Sequence, residues 1–196
     1  LDYVSKMAYY CISRYAIYNE EAILKHPVSM RPQDIAVLLK IVGMKGAPWR
    51  TTDLAVQMSI SQSEISQALH RNHQAGLLDD SKRSVHRVSL MELLTYGVKY
   101  VYPQRPGAIV RGIPTAHAAP PLSELIDSRG SVFVWPHEDG TVRGEAIDPL
   151  YPNLPRAALL DHNFYEMAAL VDAIRAGKTR EREIAVDELR KRIIIQ

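Results

Sequence analysis

The stretch from Arg31 to Leu78 constrains this chain most, because it reads as helix, short helix, tight turn, longer helix and then strand. Its centre is Thr51-Thr52-Asp53-Leu54-Ala55-Val56-Gln57-Met58-Ser59-Ile60-Ser61-Gln62-Ser63-Glu64-Ile65-Ser66-Gln67-Ala68-Leu69. Thr51 reads as the cap of the short helix, with Leu54, Ala55 and Met58 facing inward. Ser61 and Glu64 form an S-x-x-E capping box for the next one, since the serine oxygen can accept an amide while the glutamate reaches back. Ile65, Ala68 and Leu69 then bury one side and leave Gln62, Ser63, Ser66 and Gln67 on a polar face. This is the layout of a helix-turn-helix.

The flanks support it. Ile35, Leu38, Leu39 and Val42 recur at i, i+3, i+4 and i+7, a buried helical stripe that begins after Ser29 and Pro32 and is broken by Gly43 and Gly46-Ala47-Pro48. Gly76 ends the long helix, Leu77-Leu78 starts a strand, and Val85-His86-Arg87-Val88 reads as its return across a polar tip at Asp79–Ser84. Ser89-Leu90-Met91-Glu92 repeats the capping-box pattern before a helix to about Tyr100.

Ile60–Leu69 followed by Ala75-Gly76-Leu77-Leu78 resembles the recognition helix and first wing strand of MarR-like winged helix-turn-helix transcriptional regulators. The resemblance covers about residues 31–100, and the wing is shorter than is usual in that family. It implies double-stranded DNA as partner and a homodimer whose terminal helices pack across a two-fold axis. Gln62, Ser63, Ser66 and Gln67 are then the base-reading candidates, because short hydroxyl and amide side chains near a helix N-terminus reach base edges in a major groove. Arg50, Thr51, Ser61, His70, Arg71, Lys82, Arg83 and Arg87 are the candidates for phosphate or wing contacts.

Charge is distributed accordingly. Residues 31–111 carry eleven Lys/Arg against six Asp/Glu, whereas residues 112–196 carry ten against thirteen. The net +2 therefore hides a basic half around the helix-turn-helix pattern, the footprint expected beside a phosphate backbone.

The expected fold is mainly α with small β elements: a winged helix-turn-helix domain, then a C-terminal β-hairpin and a helical hairpin. Residues 1–28 read as an N-terminal helix in which Val4, Ala8, Cys11, Tyr15 and Tyr18 share one stripe, suited to packing on its own domain or to a dimer contact. Residues 29–102 form the winged helix-turn-helix. Residues 103–160 form a Pro/Gly-rich segment in which Pro103–Leu122 reads as ordered loop or short strand and a candidate hinge, and Ser131–Trp135 and Thr141–Glu145 are expected as a hairpin over Pro136–Gly140. Val110-Arg111-Gly112 is weakly echoed by Val142-Arg143-Gly144. Residues 161–196 read as two amphipathic helices around Gly177, the first capped by Asp161, whose apolar stripes require cover from the body or from a second subunit.

Catalytic chemistry finds no constellation. His70 and His73 lie three apart without an HExxH or a cysteine set, His137-Glu138-Asp139 sits over a turn, and Gly43-Met44-Lys45-Gly46 lacks P-loop spacing. We expect no catalytic residue, no metal and no cofactor. The single Cys11 permits no internal disulfide, no apolar run is long enough to span a bilayer, and the first residues lack a signal-peptide layout, so a reducing cytoplasm is the expected compartment. The functional expectation is a homodimeric repressor reading a pseudo-palindromic operator through helix 61–75, regulated by a small-molecule effector or a protein partner. The competing expectation is an antitoxin-like module that binds a protein.

Overall fold

The computed structural model describes residues 29–126 and 130–195. The expected N-terminal helix, with its tyrosines and Cys11, lies outside the described residues.

Helix α1 (Pro32–Gly43) is buried from Asp34 to Val42 on every face, not along the predicted stripe alone. The reason is tertiary: one side meets α3 (Gln62–Gln74) and another meets α8 (His162–Ala176). Between α1 and α3 lies the short α2 (Thr51–Met58). Thr51 is its first helical residue rather than its cap; Arg50 holds the cap position, and Asp53 accepts the Arg50 amide at 2.9 Å. The turn into α3 runs through Ser59 at φ 52°, the left-handed region a compact turn needs. Ser61 caps α3 as expected, accepting the Glu64 amide at 3.2 Å. The other half of the predicted box does not form, because the Glu64 carboxylate is turned toward Arg31 and Gln33.

After Gly76 (φ +73°) the predicted pair of strands shrinks to one antiparallel bridge, Leu78 to Val85. Asp79 satisfies the tip instead: its carboxylate accepts the amides of Arg83 (2.9 Å) and Ser84 (3.0 Å) and the Ser81 hydroxyl (2.6 Å). These bonds replace a longer ladder, so the chain enters helix at once. Helix α4 (Arg87–Glu92) begins two residues before the predicted Ser89 cap, runs through a π-helical turn (Leu93–Gly97) and ends as α5 (Val98–Val101).

The Pro/Gly-rich segment contains a seven-residue strand, β1 (Ile109–Thr115), followed by a 3-10 turn (Ala116–Ala118) and α6 (Leu122–Leu125). Strands β2 (Phe133–Pro136) and β3 (Val142–Ala146) do not form the predicted antiparallel hairpin. Each pairs antiparallel with a different half of β1, and they pair parallel with each other, closing the sheet. The echoed triads face one another: Val110 opposes Gly144, Arg111 opposes Arg143 and Gly112 opposes Val142. Closure depends on absent side chains. A Cβ on Gly112 would sit 2.1 Å from the Trp135 carbonyl oxygen, and one on Gly140 would sit 2.3 Å from Gly112 Cα.

Helix α7 (Leu154–Leu160) leads into α8, and α9 (Thr179–Ile193) folds back on α8. The stripes of this hairpin are covered by the chain itself. Helix α8 is buried from Met167 to Arg175, and Ala185, Leu189 and Ile193 of α9 are fully buried. One apolar core runs from Ile35 to Ile193. No helix among the described residues is long and apolar enough to cross a membrane.

Candidate functional site

The second half of the chain braces the helices of the first and leaves one face of α3 open. Asn153 donates to the Ser59 carbonyl at 2.7 Å, pinning the turn between α2 and α3. Lys40 of α1, itself buried, pairs with Asp161 at 2.6 Å while Asp161 caps α8 through the Phe164 amide. Burial opposes ionisation of Asp161, but Lys40 and the backbone amides of Phe164 and Asn163 outweigh it and hold the carboxyl below its ordinary range. At the far side, Arg175 is a buried connector. It pairs with Asp172 (2.6 Å) and donates to the carbonyls of Tyr102 (3.0 Å) and Asp148 (3.3 Å). Asp172 also accepts Trp135 Nε1 (2.6 Å) and Thr115 Oγ1 (3.0 Å), so the Asp172–Arg175 pair of α8 joins the sheet to the end of α5. Arg175 thereby holds the carbonyl just before the expected hinge segment, and Asp172 holds Thr115 within it.

Against this frame Ile65, Ala68 and Leu69 turn inward, and Gln62, Ser63, Ser66, Gln67 and His70 turn to solvent, as the periodicity predicts. Ser63, Ser66, Gln67 and His70 line one groove, joined there by Ser29 and Arg31. Gln67 Nε2 lies 3.4 Å from Ser63 Oγ, an i,i+4 bond along the exposed face.

The cationic candidates separate. Arg71 is not a phosphate contact: its Nε and Nη2 donate to the two oxygens of Asp34 at 2.8 and 2.7 Å, and only 6% of the residue is exposed. The Asp34 hydrogen bonds raise the basicity of Arg71 against the opposing effect of burial. Asp34 also accepts the Arg31 amide at 2.8 Å, so one carboxylate caps α1 and holds α3. Arg87 is likewise redirected; it sits at the start of α4 and donates to the Ile193 carbonyl at 2.9 Å, closing the end of α9. Arg83 stacks 4.5 Å from the Trp49 ring centre and donates to the Trp49 carbonyl at 2.9 Å, lining a second cleft with Ile41, Val42 and Val85. Lys82, at φ 57°, approaches His70 Nδ1 at 3.3 Å and so joins the α3 face. Arg50 is exposed at the start of α2, Thr51 is half-buried beside it, and Ser61 is exposed at its cap position.

Arg31, Ser29 and Asp34 were missed as site residues by sequence reasoning. An acid three positions after Arg31 was a legible cap signal, but nothing local says that it faces Arg71. His137 stays a turn residue, accepting the Asp139 amide at 3.2 Å. Among the described residues no group of three or more His, Cys, Asp or Glu side chains is placed to hold a metal ion. Comparison with protein-family models, with curated proteins and with solved structures finds no match.

Proposed function

We propose that this chain is a DNA-binding transcriptional regulator of the winged helix-turn-helix kind. The observation that carries the reading is the outward face of α3, where Gln62, Ser63, Ser66 and Gln67 are exposed while the opposite face is buried and the Arg71–Asp34 pair joins the helix to α1. A reading helix needs that combination, because base-edge hydrogen bonds tolerate little play in the element presenting them. The 79–84 loop plays the part of a wing. Its tip is drawn onto α3 by the Lys82–His70 and Asp80–His73 contacts, at 3.3 Å each, so it favours phosphate contact beside the major groove over insertion into a minor groove.

The regulator acts as a homodimer in this proposal, each copy placing α3 in one half-site of a pseudo-palindrome. Val88, Tyr96, Tyr100 and Val101 are exposed on the segment from α4 to α5, and this is the apolar surface a two-fold contact would bury. The test is binding of the purified protein to its own upstream DNA and to a scrambled duplex across a salt series, read by fluorescence anisotropy. Salt-sensitive binding with preference for the upstream sequence is the expected result; a folded protein that binds neither duplex overturns the reading.

One observation favours the competing reading of a protein-binding module. Val56 of α2 and Leu160 of α7 are 78% and 77% exposed and line the same groove, an apolar surface with no use in reading DNA. Val56→Glu with Leu160→Glu separates the two readings, because it leaves DNA binding intact if α3 is the working surface.

A further inference from the structure

We infer that Arg31 is a phosphate-binding arginine of this protein, paired with Glu64 when no DNA is bound, and that it holds one backbone strand at the edge of the groove whose Ser63, Ser66 and Gln67 side chains face the bases. The inference rests on the DNA-binding reading above and assigns its electrostatic contact.

The groove has a polar floor of Ser63, Ser66 and Gln67, with Arg31 on one wall and His70 at the far end. From Ser63 to His70 the helix rises about 10 Å, at about 1.5 Å per residue. At the His70 end the Lys82 ammonium lies 3.3 Å from Nδ1, so a cation stands at each end of the groove. Arg71 lines it too, yet Asp34 holds its guanidinium inward. Of the two arginines that line the groove, Arg31 is therefore the one free to reach a ligand, its side chain being 57% exposed.

Its partner is the second part of the inference. Arg31 Nη1 reaches Glu64 Oε2 at 3.4 Å, longer than the roughly 2.7–2.9 Å of a well-formed charge-assisted bond. Gln33 Nε2 approaches the same oxygen at 3.5 Å. An exposed pair of this length is easily exchanged, and phosphate is a better fork-shaped acceptor for a guanidinium. Glu64 thus holds Arg31 over the groove without DNA, then repels phosphate once Arg31 has moved to it. The second effect falls on every sequence alike and lowers non-specific affinity.

The test uses the full chain with a fluorescently labelled mixed-sequence duplex, measured by anisotropy over a range of salt for the wild type, Arg31→Ala, Arg31→Lys, Glu64→Gln and the Arg31→Ala/Glu64→Gln double variant. Arg31→Ala should weaken binding several-fold and make the slope of log K against log salt shallower by about 0.9, as expected when one phosphate is no longer neutralised. Arg31→Lys should retain most of the slope. Glu64→Gln should tighten binding, and the gain should be smaller in the double variant, where repulsion of phosphate is relieved but no guanidinium is released. Arg31→Gln provides a second uncharged variant should Arg31→Ala fold poorly. A wild type that binds the duplex alongside uncharged variants with an unchanged slope overturns the assignment and leaves the DNA-binding reading standing. A folded wild type that ignores the duplex at the lowest salt overturns both.

Discussion

Asp34 and Arg71 form a two-pronged ion pair, 2.8 and 2.7 Å, that joins the first turn of α1 to the last turns of α3. Asp34 is fully buried, and its backbone carbonyl also accepts Asn72 Nδ2 at 3.0 Å. Breaking one half of a buried pair leaves the other charge without compensation, which costs about 3–5 kcal/mol. Arg71→Ala should therefore lose stability of that order in urea unfolding. In a folded background its salt slope for DNA should match the wild type, unlike that of a true phosphate contact. A loss within about 0.5 kcal/mol, the range of ordinary surface substitutions, would show that the pair does not hold α3.

The reading face makes a different prediction. Gln62→Ala combined with Gln67→Ala should reduce preference for the cognate site over a scrambled one, by about 1–3 kcal/mol for each bidentate amide–base pairing removed. Melting temperature should hardly move, because both side chains are exposed. Competition anisotropy measures the preference, and an unchanged ratio would mean that another surface reads the sequence.

Arg83→Ala should weaken cognate and scrambled duplexes about equally and flatten the salt dependence. Arg83 also covers the half-buried Trp49 ring, so the variant should shift Trp49 fluorescence even without DNA. Retention of the full salt slope would restrict Arg83 to its contact with Trp49.

Asp161 gives the pH dependence its sign. Its folded-state pKa lies below the unfolded value, so its ionised form contributes stability above the unfolded pKa of about 3.9, and the contribution is lost as pH falls through the folded value. Asp79 and Glu188 are depressed as well, the first chiefly by the Ser81 hydroxyl and the second chiefly by Lys191, and they act in the same direction. Asp161→Asn should unfold at lower urea near neutrality and lose part of the acid-limb slope. Urea midpoints measured across the acid range would expose the idea as wrong if both proteins showed the same slope.

Gly112→Ala should be among the most damaging small substitutions, since its methyl group would fall on the Trp135 carbonyl. Overpacking of this kind costs about 1–3 kcal/mol or more when backbone must move. The near-ultraviolet circular dichroism of Trp135, fully buried with its indole bonded to Asp172, reports the damage directly. An unaltered spectrum and melting temperature would show that the sheet closes without a bare backbone there.

The sequence by itself determined the local elements. The stripes of α1, α3, α8 and α9, the Ser61 and Asp161 caps, the Gly76 stop and the outward set on α3 were all legible, because they depend on helical period and on amides within three or four residues. Only the tertiary structure decided the rest. An arginine on a helix has the same local signature whether it meets solvent or a carboxylate 37 positions away, so Arg71 read as a DNA contact and Arg31 passed unnoticed. The strands after Ser131 looked like a hairpin because a short link favours antiparallel pairing. Gly112 and Gly140 allow the backbones to approach closely enough for β1 to pair with both strands, and that contact sets β2 and β3 parallel. Local spacing records which face of an element is apolar; which partner covers that face, and where a long charged side chain ends, depends on chain segments brought together only by the folded core.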